Sequence, residues 1–290
     1  MERLIKQAPG FFRYALGEFT AIALNDGTLT RDRPNNFVRN ADDADVGAAF
    51  AEAGMPADKL TLTFNPLAIE TPNGVVLIDT GFGESGPPTA GHLLANLQAA
   101  GIAPEDVTAV IISHFHGDHI LGLARKDGSK IYPNATLMVP QAECDFWLDD
   151  AAMKAAPESA QSNFEVARKT MGSLEMQRFA WGETILPGFT AVQADGHTPG
   201  MTAVEIESGG ERMMYVADIT NNPLLFVRHP EWQAMFDIDP ERTIATRRRL
   251  LDRAAAEHLR LHFYHAPFPA TAYVVKNGDA YEYLPAPWTA

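Results

Sequence analysis

The order of apolar and polar positions divides the chain into short runs that stop abruptly in polar loops. Phe19–Leu24 is a strand-like run closed by Asn25-Asp26-Gly27. Leu60–Phe64 and Gly74–Ile78 read as strands paired across the Pro72–Gly74 turn, the second ending in Asp79-Thr80-Gly81. Between them lies an Ala-, Asp- and Glu-rich stretch, 40–59, with a short helix over Val46–Ala53. It is expected to fold over the surface and could overhang a site. His92–Ala100 has helical spacing with Gly101 as its stop. Val110-Ile111-Ile112 then forms a buried strand that delivers a polar loop, followed by a helix-compatible run, Ile120–Arg125.

Ala135–Val139 is a strand, and Pro140 opens a helix through about Asp149. Asn163–Leu174 is helical by spacing. Short strands follow at Met176–Phe179, Phe189–Gln193, Thr202–Glu207 and Arg212–Val216. Asp239 caps a long helix to Glu257, Leu259–Tyr264 is a strand, and Ala272–Lys276 with Ala280–Leu284 forms a hairpin across Asn277-Gly278. The pattern predicts one α/β domain over residues 1–290, two sheets face to face with helices outside, and 1–18 as an N-terminal extension.

The loop after Ile112 carries the densest chemistry. His114, His116, Asp118 and His119 place four metal-ligand types within six positions. Imidazole with carboxylate suits zinc first and other divalent first-row metals next. Three more residues of these types end predicted strands: His197 in Gly196-His197-Thr198-Pro199-Gly200, Asp218 after Ala217, and His265 after Tyr264. Singly, each is an ordinary capping or surface group. Together they make five His and two Asp on strand-end loops, enough for two metals with open positions. Asp79, at another strand end, could orient a ligand imidazole or bond backbone N–H groups.

Charge and composition narrow the partners. With 290 residues, 46% hydrophobic and 21% charged, the composition is that of a soluble globular protein. A formal net charge of −14 argues against nucleic acid, and no apolar run approaches the roughly 20 residues that span a bilayer. Met1–Lys6 lacks the apolar segment of a signal peptide, so a cytoplasmic location is expected. Cys144 is the single cysteine and reads as a buried helix residue. No Gly-x-Ser-x-Gly nucleophile elbow occurs.

The set His114-x-His116-x-Asp118-His119, His197, Asp218 and His265 resembles the two-metal hydrolases of the metallo-β-lactamase superfamily. Leu77–Gly81 and Gly196–Gly200 match other signatures of that superfamily. The likeness spans about Phe19 to Tyr273. Within the superfamily it lies nearest to methyl parathion hydrolase and its lactonase relatives, on Pro9–Arg13, Leu16–Phe19, Asp145–Leu148 and His265-x-x-Phe268-Pro269. The resemblance implies an αββα sandwich with metals at one edge of the sheets, and it suggests a homodimer. It implies two divalent ions, most simply Zn2+: one on His114, His116 and His197, the other on Asp118, His119 and His265, with Asp218 bridging. It further implies a metal-bridging hydroxide that attacks a lactone or ester carbonyl of a small-molecule substrate, with Asp118 able to protonate the leaving oxygen. Phosphotriester hydrolysis is the second option, and a single-iron persulfide dioxygenase a third.

Two positions depart from the resemblance. Lactonases of the quorum-quenching type carry Tyr three residues after the bridging Asp, where this chain has Asn221. Related hydrolases also carry His soon after Phe-Pro, where this chain reads Phe268-Pro269-Ala270-Thr271-Ala272-Tyr273. Asn221 is therefore a candidate catalytic donor. Phe64, Trp147, Phe164, Phe226 and Trp232 are the apolar candidates for the substrate pocket. His262, an odd number of residues from His265 along one strand, is expected to face away from it.

Overall fold

A computed structural model describes residues 8–287. Two seven-stranded sheets stack face to face. The first runs in the order β1 (Phe11–Leu16), β2 (Phe19–Leu24), β5 (Leu67–Thr71), β6 (Gly74–Ile78), β7 (Val107–Ile111), β8 (Thr136–Pro140) and β9 (Gln177–Phe179). Its β1–β2–β5–β6 part is antiparallel, and β6 through β9 are parallel. The second comprises β10 (Thr184–Leu186), β11 (Phe189–Gln193), β12 (Thr202–Ser208), β13 (Glu211–Tyr215), β14 (Arg260–His262), β15 (Thr271–Asn277) and β16 (Ala280–Pro285). Only β13 and β14 pair in parallel there. A separate ribbon pairs β3 (Gly27–Asp32) with β4 (Lys59–Phe64).

Both faces of the first sheet are covered, which explains its continuous apolar runs. Along β6, Val76 and Ile78 join the core between the sheets, while Val75 and Leu77 face the helices. Along β7, Ala109 and Ile111 take the inner side and Val110 the outer. The outer layer there includes α2 (Leu93–Ala99), α4 (Gln141–Trp147) and α6 (Glu158–Met171). On the second sheet, α8 (Pro240–Glu257) packs Leu250, Leu251 and Ala254, its Asp239 cap accepting from the Arg242 amide. The expected αββα sandwich is what forms. No helix among the described residues is long and apolar enough to cross a membrane.

Several local expectations are corrected. Leu60–Phe64 does not pair with Gly74–Ile78; its partner is β3, and β5 takes the place across the turn. Asn65-Pro66 redirects the chain between the two, because proline cannot donate to a continuing ladder. Within the expected extension 1–18, residues 11–16 form the edge strand β1. Six residue pairs join it to β2, which places Tyr14 and Leu16 in the core. Met1–Lys6 lies outside the described residues. The Ile120–Arg125 run is a helical turn, α3 (Gly117–Ile120), followed by a 3-10 turn over Leu121–Leu123. A Cβ on Gly122 would lie 1.9 Å from the Thr80 carbonyl oxygen, so this turn docks against the Asp79–Gly81 loop only with glycine. The helix from Pro140 stops at Trp147, since Asp149 caps a new one, α5 (Asp150–Ala155).

The acidic stretch forms α1 (Asp43–Glu52), whose Val46, Ala49 and Phe50 pack on Phe37, Leu60 and Phe226. With α7 (Pro223–Phe226) it makes a small third core behind the ribbon. It is the ribbon, not α1, that overhangs the site.

Candidate metal centre

The site lies where chain leaves the strands at one edge of the sandwich. His114 and His116 follow β7 and open α3, which carries Asp118 and His119. His197 follows β11, Asp218 follows β13, and His265 follows β14. The structure brings all seven residues together. The ligand atoms of His114, His116 and His197 lie within 4.8 Å of one another, as do those of Asp118, His119 and His265, and those of His114, His119 and Asp218. His114 Nε2 and His197 Nε2 stand 3.1 and 2.9 Å from His116 Nδ1. Asp218 reaches across both groups: Oδ1 is 3.3 Å from His119 Nε2, while Oδ2 is 3.4 Å from His197 Nε2 and 2.9 Å from His265 Nε2. Asp118 Oδ2 lies 3.5 Å from His119 and 3.6 Å from His265.

The far sides of these rings are held by the fold. His119 Nδ1 meets Asp79 Oδ2 at 2.7 Å, His197 Nδ1 meets Asp237 Oδ1 at 2.9 Å, and His114 Nδ1 is 3.0 Å from Ser113 Oγ. His265 Nδ1 donates to the Thr63 carbonyl at 2.8 Å. That contact settles a tautomer, because a carbonyl only accepts. With its proton on Nδ1, neutral His265 presents a bare lone pair on Nε2. This lone pair faces a carboxylate oxygen that also has only lone pairs. Two acceptors at 2.9 Å need a cation between them, whether a proton or a metal.

Charge and burial agree. Burial, with the neighbouring imidazoles, holds His114 and His116 well below the usual histidine range, so both are neutral donors. For His119 burial opposes the charge, yet Asp118, Asp218 and Asp79 outweigh it and raise its pKa well above the ordinary value. His265 is raised in the same way, chiefly by Asp218 against the cost of burial. Asp218 is itself held well below the carboxylate range, since His265 and His119 overcome its burial. His119 Nε2 and Asp218 Oδ1 are buried without a hydrogen-bond partner. These unpaired atoms, a three-imidazole cluster and a carboxylate spanning both halves fit divalent metal in both chemistry and placement.

Two carboxylates that carry no spacing signal complete the frame. Glu143 is fully buried on α4, and burial raises its pKa although it accepts from Thr198 Oγ1, Phe115 N, Gly200 N and Trp147 Nε1. It thereby ties the loop of His114 and His116 to that of His197. Asp237 orients His197 and lies 3.7 Å from the buried Arg247, which also bonds the Ile219, Pro230 and Trp232 carbonyls.

A cavity of about 390 Å³ opens onto the cluster, bordered by His116, Asp118, His197, Asp218, Asn221 and His265. Its apolar wall includes Leu29, Leu62, Phe64, Phe82, Leu121 and Phe236. Of the expected pocket aromatics only Phe64 lines it. Trp147 is buried, bonded to Glu143, with its ring 5.7 Å from that of His116. Phe164 packs 4.6 Å from Trp147 beneath it, and Phe226 sits 5.8 Å from Phe37 in the third core. Trp232 stacks on His229 at 3.9 Å, away from the cavity. All four are core residues, because burying a large ring in a helix layer stabilises more than exposing it to a wet cleft. His262 stacks on Tyr215 and bonds the Asn65 carbonyl, outside the ligand cluster. Asn221 Nδ2 donates to Asp218 Oδ2 at 3.3 Å, and its Oδ1 is buried without a partner.

A model of the metallo-beta-lactamase superfamily matches residues 65–265. The chain belongs to that superfamily. Its sandwich matches AidC, a dizinc quorum-quenching lactonase solved with a product, at a TM-score of 0.88 and 27% identity over 97% of this chain and 99% of that one. The hydrolase AbOPH of the same superfamily matches at a TM-score of 0.90, with 26% identity over 98% of this chain and all of the other. Among curated relatives, metallo-beta-lactamase domain-containing protein 1 of Mus musculus is 36% identical over 119 residues, covering 41% of this chain and 38% of the relative. An N-acyl homoserine lactonase of Bacillus sp. is 26% identical over 173 residues, covering 53% of this chain and 62% of the relative. The chain thus spans between about two fifths and three fifths of these curated relatives. Hydrolases and lactonases recur among the relatives of this superfamily member.

Proposed function

We propose that the chain is a hydrolase of lactones and carboxylic esters that works with two divalent cations, zinc first among them. The observation that carries this reading is the three-imidazole cluster beside a carboxylate, Asp218, that reaches both groups of ligand atoms, with His116, His197, Asp218 and His265 bordering one cavity. His114, His116 and His197 would hold one ion, Asp118, His119 and His265 the other, and Asp218 would touch both. Such a pair acidifies water and draws charge from a carbonyl oxygen. The chain's own contribution is placement. Asp79, Asp237 and the Thr63 carbonyl fix the imidazoles; Phe64 and Phe236 shape the cavity for an apolar acyl portion; Asp118, partly exposed to the cavity, is placed to pass a proton to the leaving oxygen. The likeness to AidC and the Bacillus lactonase supports lactones as the first substrates to try.

A panel of lactones, aryl esters and phosphotriesters on metal-reconstituted protein tests the proposal. Hydrolysis of lactones or esters should vanish with a chelator and return with zinc, at near two metals per chain. One iron per chain and oxidation of a persulfide would support a dioxygenase instead. Burial pushes the Cys144 thiol up to about 11, so Cys144→Ala should retain activity. A trapped covalent acyl-enzyme would refute the proposal.

We assign Asn221 the orientation of Asp218, to which one of its two amide N–H groups donates at 3.3 Å; the second leaves a donor for the developing oxyanion at the cavity it borders. Asn221→Ala should lower kcat by roughly 10–100-fold, the usual cost of losing such a support, without lowering thermal stability. Full kcat on the best substrate of the panel would reduce Asn221 to a turn former in Thr220–Pro223.

A further inference from the structure

The β3–β4 ribbon presents two different faces. In its register Leu29 lies opposite Leu62, Arg31 opposite Leu60 and Gly27 opposite Phe64, so these six side-chain positions share the inner face. The outer face is polar: Thr30 Oγ1 and Thr61 Oγ1 are 2.9 Å apart, and Lys59 pairs with Asp32 at 2.5 Å. Arg31 is therefore the one charged residue on an otherwise apolar inner face.

It is exposed to solvent, and its one contact of note is with an aromatic ring. Arg31 forms no ion pair among the described residues, whereas Arg33, Arg212 and Arg242 are matched with Asp43, Glu257 and Asp195 in this acidic chain. Its guanidinium carbon lies 5.7 Å from the centroid of the Phe236 ring. Arg31 and Phe236 both border the cavity that holds the ligand cluster. A guanidinium held near an aromatic face and free of any ion pair keeps N–H donors available for planar, two-point binding of a carboxylate.

We propose that Arg31 selects ester or lactone substrates carrying a second, non-reacting carboxylate. The guanidinium grips that group at the mouth while Leu29, Leu62 and Phe82 enclose the intervening chain and the reacting carbonyl lies at the ligand cluster. The reacting end rests on the hydrolase reading above; the gripping end rests on Arg31 alone. A guanidinium that only clamps the ribbon to Phe236 is the competing account.

Aryl hemiesters of a homologous series of dicarboxylic acids, compared with aryl alkanoates of matched length, separate the two. In the zinc-loaded parent, kcat/KM should favour the hemiester at the best chain length. In Arg31→Met the ratio of hemiester to alkanoate should fall about tenfold or more, through KM and not kcat, with partial recovery in Arg31→Lys. An unchanged ratio, or a change in kcat alone, overturns the proposal. Calorimetric binding of the free dicarboxylates and of matched monocarboxylates to the zinc-loaded protein keeps the test independent of turnover. Should no ester or lactone be hydrolysed while an Arg31-dependent dicarboxylate preference is seen, the hydrolase reading falls and only the carboxylate grip of Arg31 stands. Turnover without any preference for the second carboxylate overturns the Arg31 assignment and leaves the hydrolase reading intact.

Discussion

Replacing His116 by alanine is expected to strip at least one metal equivalent from the reconstituted protein, and most of its hydrolytic activity with it. His116 Nδ1 stands between the other two imidazoles, at 3.1 Å from His114 Nε2 and 2.9 Å from His197 Nε2. Without His116 that ion would keep only two imidazoles and the shared Asp218 carboxylate, too weak a set to retain it on a site built around three imidazoles. The fold should tolerate the change. His116 is only half-buried, and its neighbours His114 and His197 are anchored from behind by Ser113 and Asp237. Metal content by elemental analysis, kcat on the best substrate and a urea midpoint for the metal-free proteins check this together. A full metal complement in the variant would sink the ligand assignment.

The second large effect is on stability. Asp79→Ala should destabilise the protein by about 3–5 kcal/mol, the range seen when a buried charged network loses one member. Asp79 is fully buried and gathers four donors: Ser113 N at 2.8 Å on Oδ1, and Ser113 Oγ at 2.7 Å, Tyr215 OH at 2.6 Å and His119 Nδ1 at 2.7 Å on Oδ2. These come from the loop after β7, from α3 and from the end of β13, so no single rotation can re-pair them. The backbone adds to the loss, since Asp79 has φ of 60°, a region that Asp and Asn enter more readily than Ala. Urea unfolding of the metal-free variant measures the effect, and Asp79→Asn, which keeps the shape, should recover part of it. A loss below about 1 kcal/mol would mean that water satisfies the stranded donors.

The seven clustered residues were legible because each stands where an apolar run breaks into a loop pinned by Gly or Pro. A strand end fixes where such a loop begins, so local pattern and spatial convergence coincide there. Glu143 and Asp237 offered no such cue. Each meets a residue tens of positions away, on a helix and on an irregular segment, and a single carboxylate in such contexts looks like any solvated one. The aromatics mark a different boundary. Trp147, Phe164 and Phe226 are as apolar as Phe64, and only the layer in which each is packed separates core from cavity wall. The mispairing of Leu60–Phe64 has the same origin: alternation defines the faces of a strand but not its neighbour. That ambiguity mattered, because it hid the ribbon and with it Arg31.

The ribbon's attachment to the centre runs through the main chain. It is the Thr63 carbonyl, not a side chain, that accepts from His265. The inward cavity-lining positions 29, 31 and 62 can therefore be exchanged without removing the contact that fixes this imidazole. A lineage built on this arrangement can change what it recognises by point replacements at positions 29, 31 and 62 while the reaction itself is inherited intact; position 64, whose ring lies 5.6 Å from that of His265, is not free in the same way. Divergence in substrate range is thus uncoupled from loss of catalysis, and gene duplicates of such a protein would be expected to differ first along this ribbon.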